Sequence, residues 1–199
     1  MLEATIPPAL GVKSVKDLVA LARSKPRQLN FSSPGVGSAN HLAGELFTTL
    51  AGIQAVHVPY RGVPEAVMAD VSGEVQFSFS PVVNILTLSH SGKLLPLAAS
   101  GGKRSAVLPG VPTVAEAGVS GYLFDPWYGM LAPAKTPKAL IAKLSGEIAR
   151  IVELPDVKER LQTLGADPAP STPEEFDAYV RTEVAKFKKI VRDAGIKPE

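Results

Sequence analysis

Between Ser33 and Asn40 the chain reads Ser-Pro-Gly-Val-Gly-Ser-Ala-Asn. This run of small, turn-forming residues follows a short strand-like stretch, Leu29 to Ser32, and precedes Leu42, Leu46 and Leu50 at four-residue spacing. Such an order describes a strand, a tight loop and a helix. Small residues let backbone N–H groups approach a ligand, and the helix start adds unpaired donors and a partial positive charge, which suits a carboxylate or a phosphate. Gly35 and Gly37 would permit the close approach, with Ser33, Ser38 and Asn40 offering polar side chains and His41, in the first helical turn, a ring N–H. The same residues also make a plain turn and cap, with glycine for the backbone and Ser38 or Asn40 closing the helix end. No Gly-Lys-Ser/Thr follows, and Asn40 stands where a dinucleotide fingerprint needs its third glycine, so nucleotide binding is disfavoured.

Pro59-Tyr60-Arg61-Gly62 follows a second strand-like stretch, Ala55 to Val58, so its tip shares the sheet edge with the glycine loop. There Tyr60 and Arg61 could contact an acidic ligand, or Arg61 could simply be a solvated charge. Trp127 and Tyr128 are candidates for a cleft lining or for core. The three histidines, His41, His57 and His90, lack metal-ligand spacing, and no Gly-x-Ser-x-Gly elbow supports a serine nucleophile. No metal site, cofactor or catalytic residue is expected.

The elements that position these residues alternate. A helix opens at Ser14, with Asp17 completing a capping box, and ends at Pro26. After the glycine loop come a helix from about Pro64 to Ser72, a strand from Val75 to Phe79, a short helix from Val82 to Ser89, a strand from Leu94 to Ser100, and a capping box at Thr113 to Glu116. This predicts an α/β layer with mostly parallel strands, whose ligands bind at the strands' carboxyl ends. Beyond Gly121 the pattern turns helical: Thr136-Pro137 and Thr172-Pro173 start two longer helices, with apolar stripes led by Leu140 and Phe176. Only Gly129 to Ala132 and Asp167 to Ala169 are strand candidates there, too few for a sheet.

With 199 residues, 45% hydrophobic and 20% charged, the chain is long enough for a full core or two small lobes. A net charge of +2 gives no field for nucleic acid, and the Lys186, Lys188, Lys189, Arg192 cluster reads as a solvated helix face. The absence of cysteine is compatible with an oxidising compartment. Glu3 stands where an export signal wants basic residues, so no signal peptide is expected in the chain as written, and no apolar run is long enough to cross a bilayer.

Several ordered motifs resemble those of the tripartite tricarboxylate transporter receptors, the TctC or Bug family. They are Val12 to Leu18, Gly37 to Phe47, Val56-His57-Val58-Pro59-Tyr60-Arg61-Gly62, Gly92-Lys93-Leu94, Leu108 to Gly118 and Leu131 to Pro137. The resemblance implies a type II periplasmic-binding-protein-like α/β fold and a periplasmic, non-enzymatic receptor that passes small carboxylates or related solutes to membrane transporter subunits. It further implies one complete lobe and one incomplete one. Residues 1–10 would be an inter-lobe crossover, 11–123 the second ligand-binding lobe, and 124–199 the C-terminal part of a first lobe missing its opening strands. On that reading the chain is N-terminally truncated, its uncovered helical stripes favour self-association, and transport is impaired. The family's ligand loop matches Ser32 to His41, and its Tyr-Lys-Gly turn matches Tyr60, Arg61 and Gly62. Ser80 stands where relatives often carry an aspartate, which leaves the solute open. Two other readings compete: an effector-sensing domain of a transcription regulator, and a small hydrolase.

Overall fold

The computed structural model describes residues 1–196, which pack as two compact units: Met1–Pro126 together with the residues from Ile190 onward, and Trp127–Lys189. The first unit is built on a five-stranded sheet of β1 (Leu2–Ile6), β2 (Leu29–Ser33), β3 (Ala55–Pro59), β4 (Phe77–Pro81) and β5 (Leu95–Ala99), in spatial order β3-β2-β4-β1-β5. β2 runs parallel to β3 and β4, whereas β1 is antiparallel to both of its neighbours, β4 and β5. Helices α1 (Val15–Ser24), α2 (Ala39–Ala51), α3 (Val63–Ser72) and α4 (Val82–His90) connect successive strands.

Local chemistry sets the boundaries. Ser14 Oγ accepts the Asp17 N–H at 3.1 Å while the Asp17 carboxylate reaches back to the Lys13 N–H, and α1 then buries Val15, Leu18 and Ala22. At Thr113 the capping box closes in both directions, Glu116 N–H to Thr113 Oγ1 and Thr113 N–H to Glu116 Oε2, with Arg104 on the same carboxylate. β4 begins two residues later than the hydrophobic pattern predicts. Val75 N–H bonds to Ala69 O, which closes the turn after α3, and Gln76 N–H makes the first bond to β2, at Asn30 O, just before the paired residues start at Phe77.

Two expectations need correction. The strands are not mostly parallel: Leu2–Ile6 is a strand in the interior of the sheet, antiparallel to both neighbours. Gly129 to Ala132 and Asp167 to Ala169 are not strands, and no described strand lies beside either, as a ladder would require. The second unit is helical, with α5 (Lys138–Val152), α6 (Pro155–Thr163) and most of α7 (Pro173–Asp193). Trp127 meets Phe176 and Tyr179 edge-on, at ring separations of 5.5 and 5.6 Å, which makes it a packing residue within this unit. Tyr128 is exposed, and no residue of α5 is fully buried.

β1 has two unlike faces. Leu2, Ala4 and Ile6 share one face, with Ala4 opposite Phe79. On the other face Thr5 Oγ1 and Ser78 Oγ both donate to Asp70 Oδ2 of α3 at 2.8 Å, and Ser78 bonds Ser80 at 3.1 Å. Glu3 lies opposite Ser80, fully buried, with neither carboxyl oxygen hydrogen-bonded. Burial pushes its pKa up to about 7, and likewise that of Asp70 to about 7 against the lowering effect of its hydroxyl partners.

A carboxyl whose folded pKa lies above its unfolded value stabilises the fold at low pH and loses that contribution as pH rises through the folded value. Stability should therefore decline between about pH 4.5 and about pH 7. Glu3→Leu removes one source of the decline. Urea titrations should show the variant more stable than the parent at about pH 8, by on the order of 1–3 kcal/mol, with a smaller gain at about pH 5. An equal difference at both pH values would show that Glu3 does not titrate in this range.

Candidate functional site

The loop joining β2 to α2 is held by its own polar groups. Gly35 (φ 139°) and Gly37 (φ 75°) occupy backbone conformations that a β-carbon resists. Ser33 Oγ accepts the Gly35 N–H at 3.1 Å, and Ser38 Oγ donates to Gly35 O at 2.7 Å. Ser38 is the N-cap of α2: its hydroxyl accepts the His41 N–H and its carbonyl accepts the Leu42 N–H. Among the described residues the N–H groups of Ala39 and Asn40, the first two donors of the helix, have no acceptor, and the positive end of the α2 dipole lies on them. Val36, Gly37 and Ala39 are exposed, so this end of the loop is open to a ligand. The arrangement can hold an anion through backbone N–H groups.

The side chains behind the loop are packed inward. His41 is 4% exposed; its Nδ1 accepts the Gly37 N–H at 3.0 Å and its Nε2 lies 3.3 Å from Glu45 Oε1. Its ring stacks on His57 of β3, centroids 3.7 Å apart at 13°. His57 Nε2 is 2.6 Å from Ser33 Oγ, and both imidazoles lie against the Phe31 ring. Burial, and then the neighbouring His41, push the pKa of His57 down to about 4.

Other candidate residues are engaged elsewhere. Ser32 Oγ donates to Ala66 O of α3, Asn40 Nδ2 donates to Phe79 O at 2.6 Å, and Ser80 is buried against Ser78. Tyr60 N–H bonds Ser33 O, which sets its backbone beside the loop, but its hydroxyl donates to Glu74, just past the far end of α3. Arg61 is exposed at the turn, and Gly62 is the N-cap of α3, where an added Cβ would lie 2.9 Å from Glu65 Oε2. The loop thus gathers Ser33, Gly35, Gly37, Ser38, Asn40 and His41, with Tyr60, Arg61 and Gly62 at the neighbouring turn. Ser32 and Ser80 face the interior. Among the described residues no group of three His, Cys, Asp or Glu side chains is placed to hold a metal.

Sequence reasoning passed over His57, Glu45 and Gly44. Glu45 lies four residues after His41, a spacing that puts both on one helix face, whereas the pairing of His57 with His41 depends on the β2–β3 register. Gly44 faces Phe31 so closely that an added Cβ would overlap the ring.

Residues 2–196 match the family model described as "Tripartite tricarboxylate transporter family receptor". The chain belongs to this family. Among curated proteins it is 33% identical, over 96% of its length, to a UPF0065 protein encoded in the tcbD-tcbE intergenic region of Pseudomonas sp. strain P51, and it covers 59% of that relative. Among solved structures it matches R. palustris Rpa4515 with adipate at a TM-score of 0.91 and 32% identity, covering 100% of this chain and 66% of the other. It also matches MatC from Rhodopseudomonas palustris with bound malate at a TM-score of 0.82 and 27% identity, over 96% and 66%. The tripartite tricarboxylate transporter receptor chain thus has the periplasmic-binding-protein α/β fold and spans about three fifths to two thirds of these proteins. Their kind is a solute-binding receptor and not an enzyme.

Gly44→Ala tests the packing under the loop. The methyl group gains up to about 1 kcal/mol of helix propensity, but forcing it onto Phe31 costs about 1–3 kcal/mol. Net destabilisation in a urea titration is the expected result, and a stabilised variant would mean that α2 does not bear on Phe31.

Proposed function

We propose that this chain is the ligand-binding part of an extracytoplasmic receptor that takes small dicarboxylates, one carboxylate at the β2–α2 loop, and presents them to the membrane subunits of a tripartite tricarboxylate transporter. The observation that carries the proposal is the likeness over the whole chain to a protein solved with adipate. The malate-bound neighbour supports the same ligand class. The open N–H groups of Ala39 and Asn40, with no lysine or arginine in β2, the loop or α2, suit a carboxylate held by backbone donors. The family reading assigns residues 11–123 to the lobe that carries this site and 124 onward to the other lobe, with 1–10 as the crossover, whereas by packing β1 and the residues from Ile190 onward go with the site's unit. Ser33, Gly35, Gly37, Ser38, Asn40, Tyr60, Arg61 and Gly62 border the ligand, with His41, Ser32 and Ser80 behind them. A periplasmic location follows from the family's role. The relatives lend no support to an effector-sensing regulator domain or a hydrolase.

Calorimetric titration with adipate and with malate tests this reading, with Gly37→Val as the control. The parent should bind at least one of the two, and the variant should bind at least about tenfold more weakly, because a β-branched residue resists φ 75°. Unchanged affinity in the variant would remove the loop from the site.

Self-association accompanies the proposal. Leu140, Leu144 and Ile151 on α5 are each more than two fifths exposed and form one stripe, a surface suited to a second copy of the chain. Light scattering at micromolar protein should report a dimer or larger species, and Leu144→Lys should shift it toward monomer. A monomer in both cases would overturn this part.

A further inference from the structure

Two stacked histidines lie beneath the loop, one tied to its backbone at Gly37 and the other to the Ser33 hydroxyl. The Gly37 N–H donates to His41 Nδ1, which requires that nitrogen to carry a lone pair and places the ring's proton on Nε2, facing Glu45. His57, stacked on the same ring, meets Ser33, whose hydroxyl also accepts the Gly35 N–H. One imidazole therefore fixes Gly37 and the other, through Ser33, fixes Gly35, the two residues whose unusual backbone angles shape the loop. Nothing in the carboxylate reading requires this arrangement, because neither ring reaches the open end of the loop.

We propose that His41 and His57 are positioning residues of the loop, which keeps its anion-binding shape only while His41 Nδ1 carries no proton, so that proton uptake there lowers ligand affinity. The inference rests on the reading of the loop as the ligand site. Protonation of His41 at Nδ1 sets two N–H groups against each other and expels the Gly37 N–H. The displaced Gly37 carries with it Ser38, whose hydroxyl and carbonyl cap α2, and with the cap go the aligned donors of Ala39 and Asn40.

The charge gained does not reverse this outcome. Glu45, 3.3 Å from His41 Nε2, stabilises an imidazolium at that position, and the added charge by itself favours an anion, but the aligned donors that bind the anion are lost with the Gly37 bond. β2, β3, the loop and α2 bring no lysine or arginine to the pair, and Glu45 is the only acid among them. A second proton, on His57, would place two cations in stacked contact at 3.7 Å. Burial, and then the neighbouring His41, push the pKa of His57 down to about 4, so its ring stays uncharged near neutral pH.

The experiment has one arm without ligand and one with it. In a ¹⁵N NMR titration of the unliganded chain, the Gly37 amide and the His41 ring nitrogens should change together, with one common midpoint, and the Ser38 and Ala39 amides should follow. A Gly37 amide that stays constant while His41 titrates overturns the proposal. In the second arm the dissociation constant for adipate is measured from about pH 7.5 to about pH 5 in the parent, in His41→Asn and in His41→Leu. Asparagine can place an amide oxygen where Nδ1 stood but cannot take up the proton. The parent's affinity should fall about tenfold more across this range than that of His41→Asn, with the ligand's own titration common to both. Equal pH profiles in parent and His41→Asn sink the proposal, and His41→Leu should bind more weakly than His41→Asn at every pH. Should adipate fail to bind the parent at any pH, the reading of the loop as a dicarboxylate site fails, and the NMR arm still decides whether the histidines govern Gly37.

Discussion

The close seat of Phe31 is the constraint on which the rest of the lobe depends. The ring is wholly buried, stacks on Phe77 of the next strand, lies under both His41 and His57, and meets the backbone of α2 at Gly44. A helix that must rest on a phenylalanine at a point without a side chain has little freedom to slide or rotate. Its first turn is consequently fixed relative to the end of β2, and the loop between them has to span a set distance with set backbone angles. Close packing of one aromatic ring thus becomes the placement of N–H groups at the sheet edge.

What could be read from residue order was what local rules govern. Capping boxes at Ser14 and Thr113 need partners only three residues away; the structure closes the second in both directions and the first in one, with the Asp17 carboxylate going to Lys13 instead of Ser14. The glycine loop was visible for the same reason: small residues between an apolar run and a four-residue leucine spacing leave few alternatives. What escaped notice depends on register. The stacking of His57 on His41 requires β3 to pair with β2 so that His57 lies opposite Phe31. β1 escaped because its alternation of Leu2, Ala4 and Ile6 with Glu3 and Thr5 is short, carries an acid and ends in two prolines, which resembles a surface segment more than an inner strand. Side-chain direction was equally hidden: Tyr60 lies at the expected edge, yet its hydroxyl goes to Glu74.

The polar face of β1 and the polar loop are two solutions to the same problem of placing polar groups where water is scarce. Around Asp70, hydroxyls from Thr5 and Ser78 supply hydrogen bonds, so a carboxyl group within the lobe is partly satisfied. At the loop, serine hydroxyls and an imidazole satisfy the backbone of Gly35 and Gly37, and only the donors at the helix end are left open. Glu3 follows neither pattern, since both of its oxygens lack partners; Asp70 Oδ1 and the buried hydroxyls of Ser100 and Ser105 are also without partners among the described residues.

The position of β1 has a consequence for the order in which the lobe can assemble. It precedes the other strands of this sheet in chain order, yet it lies between β4 and β5, whose residues come some 75 to 95 positions later. β2, β3 and β4 can associate through connections of a few dozen residues, but β5 has no neighbour except β1 within the sheet. β1 must therefore stay unpaired until β4 is available, and β5 can join the sheet only through β1. Contacts that distant in sequence are slow to form. Closing the sheet is the late event, and the apolar face of Leu2, Ala4 and Ile6 is the surface that has to be shielded in the meantime.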